Sequence, residues 1–181
     1  MVRRILDRLY LWAGYAAGGF LVAIFVLMMV MSAGRKVGFN VPAGDDFASW
    51  CMAAMSFLGL AHTFKHGEMI RVGLLIDRIA GRARWAIEIF ALLLGLGFVG
   101  YFAWHAWGLL GYSWRFNDLA QGVVAMPLWI PQTFYVFGLA LLGVALLDEL
   151  IHVLSGNKPR YEKEPPKSAE EAVQRAIESA V

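Results

Sequence analysis

Four stretches of this chain run for 18 residues or more without a single Asp, Glu, Lys or Arg. About 20 apolar residues in a helix cross the roughly 30 Å hydrocarbon core of a bilayer. Within lipid every backbone N–H and C=O must be satisfied inside its own segment or a closed barrel, so stretches of this length and composition fold as helices. With 59% hydrophobic and 17% charged residues in 181, and a mean hydropathy of +0.57, the chain is too apolar for a water-soluble domain of its size. The expected class is an all-α integral membrane protein with four transmembrane helices.

The spans are expected at about residues 9–33, 47–64, 86–111 and 128–151, forming a membrane domain over 1–154 that is followed by a polar cytoplasmic tail over 155–181. The first apolar stretch is much longer than the roughly 7–15 residue core of a signal peptide and lacks a small-x-small cleavage pattern, so it reads as a retained membrane helix. The second is close to the minimum length for spanning. The third ends among Tyr101, Trp104, Trp107, Tyr112 and Trp114, rings that favour headgroup depth. Pro127 and Pro131 stand at the entry to the fourth, where a missing N–H matters least. In the tail, Ser168 and Glu171 fit a capping box for a short helix.

Orientation follows from the basic residues. Thirteen of the sixteen Lys and Arg lie in the amino terminus, the central loop and the tail, against three in the first and third connections, Arg35, Lys36 and Arg115. Positive charge beside membrane spans stays on the cytoplasmic side, so both termini are expected inside. Trp12 and Trp85 fall at the inner level by this reading, and Trp50, Trp104, Trp107, Trp114 and Trp129 at or beyond the outer one. Between spans 2 and 3, Met69, Val72, Leu75, Ile76 and Ile79 recur at helical spacing apart from Arg71, Arg78 and Arg82. That pattern predicts an amphipathic helix over about 68–82 lying in the membrane interface, although a solvated connecting helix would share the same periodicity.

Candidate chemistry is sparse. The chain has no phosphate-cradling glycine loop, nucleophile elbow, paired carboxylates or metal-ligand cluster, so neither enzymatic activity nor a cofactor is expected. A single cysteine, Cys51, excludes an internal disulfide. Glu88 is the one acid that clearly qualifies as an intramembrane ionisable group, and Arg84 one turn earlier explains it as an i,i+4 pair. His62 and His152 fall at similar depth near inner helix ends, which keeps open an alternative: a membrane-anchor subunit of a b-type cytochrome with those two as haem ligands. Small residues mark candidate packing faces for a larger membrane partner: Gly14 and Gly18 in the first span, and Ser49, Ala53, Ser56 and Gly59 in the second.

Two stretches carry a likeness to a known family. Phe64-Lys65-His66-Gly67-Glu68-Met69-Ile70-Arg71-Val72, followed by Leu74-Leu75, and Gly122-Val123-Val124-Ala125-Met126-Pro127-Leu128-Trp129-Ile130-Pro131, followed by Gly138, resemble the small membrane subunit of tripartite ATP-independent periplasmic (TRAP) transporters, the DctQ family. The chain departs from the family at Met69 and Gly73, where a histidine and an acid are frequent. The resemblance implies a multi-pass protein of the bacterial inner membrane. Its partners would be a large TRAP membrane subunit that carries the moving substrate and ion sites, and a periplasmic substrate-binding protein that delivers an organic acid for ion-gradient-driven symport. The small subunit would be a fixed scaffold, with Asp45, Asp46, Arg115 and Asp118 as the exposed outer charges available for docking the binding protein.

The charge division makes the topology testable. Reporters fused after Lys36 and Arg115 are expected to read periplasmic, and those after Arg78 and Arg160 cytoplasmic; a cytoplasmic reading after Arg115 would rule out four spans.

Overall fold

A computed structural model describes residues 2–66 and 82–156 of the chain, with side chains from residue 6 in the first part and from residue 83 in the second. The predicted interfacial helix, apart from Arg82, and the tail beyond Gly156 lie outside the described residues. The described residues form four helices: α1 (Val2–Val37), α2 (Gly44–Lys65), α3 (Arg82–Phe116) and α4 (Trp129–Leu154). All four are long and apolar enough to cross a membrane, and no strand occurs among the described residues.

The helices outrun the spans because charge marks where lipid ends, whereas a cap marks where a helix ends. At 1.5 Å per residue, the 36 and 35 residues of α1 and α3 extend about 50 Å each, well beyond a roughly 30 Å core. Helix α1 stops at Gly38, whose φ of 77° suits glycine, with the Phe39 N–H donating back to the Gly34 carbonyl at 2.9 Å. Helix α3 stops in the same way at Asn117, φ 49°, with the Asp118 N–H donating to the Ser113 carbonyl at 3.1 Å. Both are Schellman closures, the second using asparagine where glycine is usual. Helix α4 begins at Trp129, slightly later than expected. Pro131 occupies its first turn and Pro127 precedes it, so neither removes an intrahelical bond.

Extensive contacts join α1 to α2, α2 to α4 and α4 to α3. Helix α4 is therefore interior, with Val136, Leu139, Leu141, Leu142, Ala145, Leu146, Leu150 and Val153 buried. Helix α3 buries one stripe through Glu88, Leu92, Ala106 and Ser113, at steps that keep to one face. Its other faces expose Phe90, Leu93, Leu94, Phe98 and Phe102, as a lipid-facing helix does. The turn end of the bundle carries the α1–α2 and α3–α4 connections. At the opposite, terminal end all four helices converge, with Tyr10, Ala13, Ala61, Phe64, Leu92 and Leu150 in one apolar cluster.

Lipid tails are as apolar as leucine, so close packing rather than hydrophobic burial brings membrane helices together. Small residues stand at each seam. Gly59 faces Ala17 at 3.8 Å between α2 and α1, and Gly143 faces Val99 at 3.7 Å between α4 and α3. The tightest approach is between α2 and α4, where Gly138 lies directly on the Phe57 backbone carbonyl. The Phe57 and Tyr135 rings meet edge to face beside it, centroids 4.3 Å apart.

A methyl group at Gly138 would enter the Phe57 carbonyl, which cannot turn aside without breaking its own helix. Overpacking costs about 1–3 kcal/mol, which outweighs the roughly 1 kcal/mol that alanine gains over glycine in a helix. Gly138→Ala is expected to lower the unfolding midpoint in detergent, and Gly138→Leu to lower it further. Gly97→Ala and Gly100→Ala, whose added carbon meets nothing within 4 Å, should leave it unchanged or raise it.

Candidate functional site at the two ends of the bundle

The α3–α4 connection is closed by its own backbone. The Ala120 N–H donates to the Met126 carbonyl at 2.8 Å and the Leu128 N–H to the Asp118 carbonyl at 2.9 Å, with Leu119 and Pro127 paired between them. Residues 118–128 thus form a narrow clamped loop. Its Gly122 lies against the Asp46 carboxylate at the start of α2. Together they border a cleft of about 480 Å³ lined by Asp46, Trp50, Asp118, Gln121 and Leu128.

Of the four charges singled out for docking, the fold brings Asp46 and Asp118 into this cleft. Asp45 is exposed in the first turn of α2, where two carboxylates complement the helix dipole, and its carbonyl accepts from the Ser49 hydroxyl at 2.8 Å. Arg115 stands elsewhere, exposed at the end of α3 on a separate hollow lined by Trp107, Trp114 and Trp129. Gly122 was not singled out for this role. A loop glycine gives no hint of what it touches, although it opens the second of the two family-like stretches.

The candidate packing residues also divide. Gly14 and Gly59 serve the α1–α2 contact within the chain: a carbon added at Gly14 would lie 2.9 Å from the His62 ring. Ala53 is half-buried, whereas Gly18, Ser49 and Ser56 are exposed. The Ser49 and Ser56 hydroxyls donate to Asp45 and Met52 carbonyls one turn back, both at 2.8 Å, so this face of α2 presents little unspent polarity.

At the terminal end, polar groups bind helix to helix. Asp7 of α1 pairs with Lys65 of α2, and the Lys65 ammonium lies 5.2 Å from the centroid of the Tyr10 ring. The Trp85 indole N–H of α3 donates to the Val153 carbonyl of α4 at 3.3 Å. Arg84 reaches Glu88 at 3.4 Å, the i,i+4 pair anticipated from their spacing, and Glu88 is 8% exposed. It is not the only buried acid, which corrects the expectation: Glu149 is 6% exposed. Near the end of α4, Glu149 takes the same inward face as Leu142, Leu146 and Val153.

His62 is wedged onto Gly14 and stacks with His66, ring centroids 4.1 Å apart, while the His66 Nδ1 lies 2.9 Å from the His62 carbonyl. Its surroundings are those of a helix contact, and the haem alternative finds no support. No group of three or more His, Cys, Asp or Glu residues among the described residues could hold a metal ion.

The comparison with curated proteins finds no match. The family model of the DctQ component of tripartite ATP-independent periplasmic transporters matches residues 23–156, which takes in the last part of α1, all of α2, α3 and α4, and the clamped loop. The chain therefore belongs to the DctQ family and is a multi-helix component of a TRAP transporter.

Proposed function

We propose that this chain is the fixed scaffold of its transporter, holding a large membrane subunit in place and helping a periplasmic binding protein to dock, while an ion gradient drives uptake of an organic acid through the large subunit. It resides in the bacterial inner membrane with both termini cytoplasmic, the turn end periplasmic, and residues 68–82 lying along the inner interface. Residues 1–154 are the membrane domain and 155–181 a cytoplasmic tail.

The observation that carries this reading is where polarity lies. The buried polar or charged residues among those described are Glu88, Ser113 and Glu149. Glu88 and Glu149 stand near the terminal end and Ser113 near the turn end. Between them the interior is Leu92, Leu139, Leu142, Ala145 and Leu146, and the four helices run unbroken. Transporter sites for ions and anionic substrates are built from interrupted helices near mid-membrane. A rigid apolar partner is what remains, and the exposed Gly18, Ser49 and Ser56, with Ala53 beside them, are its candidate contact with the large subunit.

Proteoliposomes holding this chain alone, with binding protein and an ion gradient, are expected to show no uptake, and those holding it with the large subunit to transport. Uptake by the chain alone would refute the scaffold. Within the assembled complex, Glu88→Gln and Glu149→Gln are each expected to leave the dependence on the ion gradient intact; its abolition at normal expression would assign the coupling site to this chain.

Docking has its own test. Exposed charges set encounter rate and register more than final affinity, and are screened over about 8 Å at physiological ionic strength. Asp45→Lys with Asp46→Lys should weaken uptake when the binding protein is limiting, less so at high salt, with recovery at saturating binding protein. Unchanged uptake across that titration at low salt would remove both aspartates from the docking surface.

A further inference from the structure

A hollow lies between the turn-end half of α3 and the first turns of α4. It has a volume of about 460 Å³, within the roughly 300–1,000 Å³ of small-molecule sites, and is lined by Trp107, Leu110, Trp114, Arg115, Trp129 and Thr133. Trp114 and Trp129 meet at 4.6 Å between ring centroids and close one side. The Thr133 hydroxyl donates to the Trp129 carbonyl at 2.7 Å, which leaves the wall below apolar. The side chains that line it also carry hydrogen-bond donors. The Arg115 guanidinium and the indole N–H groups of Trp107, Trp114 and Trp129 have no acceptor among the described residues, and no acid lines the hollow.

We propose that this hollow binds one anionic phospholipid of the bilayer leaflet at the turn end of the bundle. A guanidinium matches a phosphodiester as a two-point donor, and indole N–H groups reach the ester oxygens beneath it. The acyl chain lies along Leu110 and the exposed edge of Trp107. An anionic headgroup fits better than a zwitterionic one, whose ammonium would meet Arg115 with no carboxylate to receive it. An apolar protein helix fits worse, since it would cover the guanidinium without supplying an acceptor. The site requires that this end of the bundle lie at a bilayer surface; it does not depend on the transporter assembly.

The test is native mass spectrometry of the full chain in mild detergent with phosphatidylglycerol or phosphatidylcholine. One retained phosphatidylglycerol is expected, with a preference over phosphatidylcholine of about fivefold, the effect of one basic residue near an anionic surface. Arg115→Gln should reduce that preference to near unity, and Arg115→Lys should keep part of it. Equal retention of the two lipids, or a preference unchanged in Arg115→Gln, would overturn the proposal. A photoreactive residue at Gly111, where an added carbon meets nothing within 4 Å, is expected to give a phospholipid adduct in native membranes. An adduct to the large subunit, or to a second copy of this chain, would show that protein covers the hollow and would equally overturn it.

Discussion

Helix α4 can lie on α2 only because Gly138 presents no side chain to the Phe57 carbonyl, and the rest of the bundle depends on that seam. Helix α1 is attached chiefly through α2, and α3 through α4. The fold is thus two helical hairpins, consecutive in the chain, joined along one tight backbone contact. The edge-to-face rings of Phe57 and Tyr135 extend the contact where the backbones diverge. With no gain from moving apolar surface out of lipid into protein, such contacts must supply the specificity that a soluble core gets from burial.

The terminal end secures the hairpins differently. A charge at mid-bilayer costs about 2.5–3.5 kcal/mol, and the acids and bases among the described residues stand near the helix ends. At the ends they can be both ionised and structural. Asp7 with Lys65 ties α1 to α2, and Arg84 keeps Glu88 compensated where α3 enters. The Trp85 indole shares in this by capping a carbonyl in the last turn of α4. Polarity at this end fixes the angles at which the helices leave the membrane, while the apolar middle fixes how closely they lie.

What could be read from the sequence was set by periodicity and charge. Four helices, their order and the Arg84–Glu88 pair needed only local spacing, and so did the entry prolines of α4. Neighbour relations needed more. Nothing in the spacing of Gly14 indicates that His62 will occupy it, because either helix could rotate and offer another face. Glu149 escapes for a related reason: its place near the inner end of the fourth span does not show which face it takes, and packing turns it inward with Leu146 and Val153. Asp46 and Asp118 were both singled out, yet their meeting in one cleft depends on Gly122 and on the backbone clamp from Asp118 to Leu128, which no local pattern displays.

The turn half of α3 carries Tyr101, Trp104, Trp107, Tyr112 and Trp114, all more than half exposed, over fourteen residues that rise about 20 Å. An aromatic belt usually pins a helix at one depth. Here the rings form a ladder, so a bilayer surface meeting α3 anywhere along those turns finds an amphipathic ring at headgroup level. Hydrophobic mismatch, which costs fractions of a kcal/mol per ångström for an ordinary span, is flattened over that interval. The helix is thereby indifferent to local thinning or thickening of the membrane over those turns.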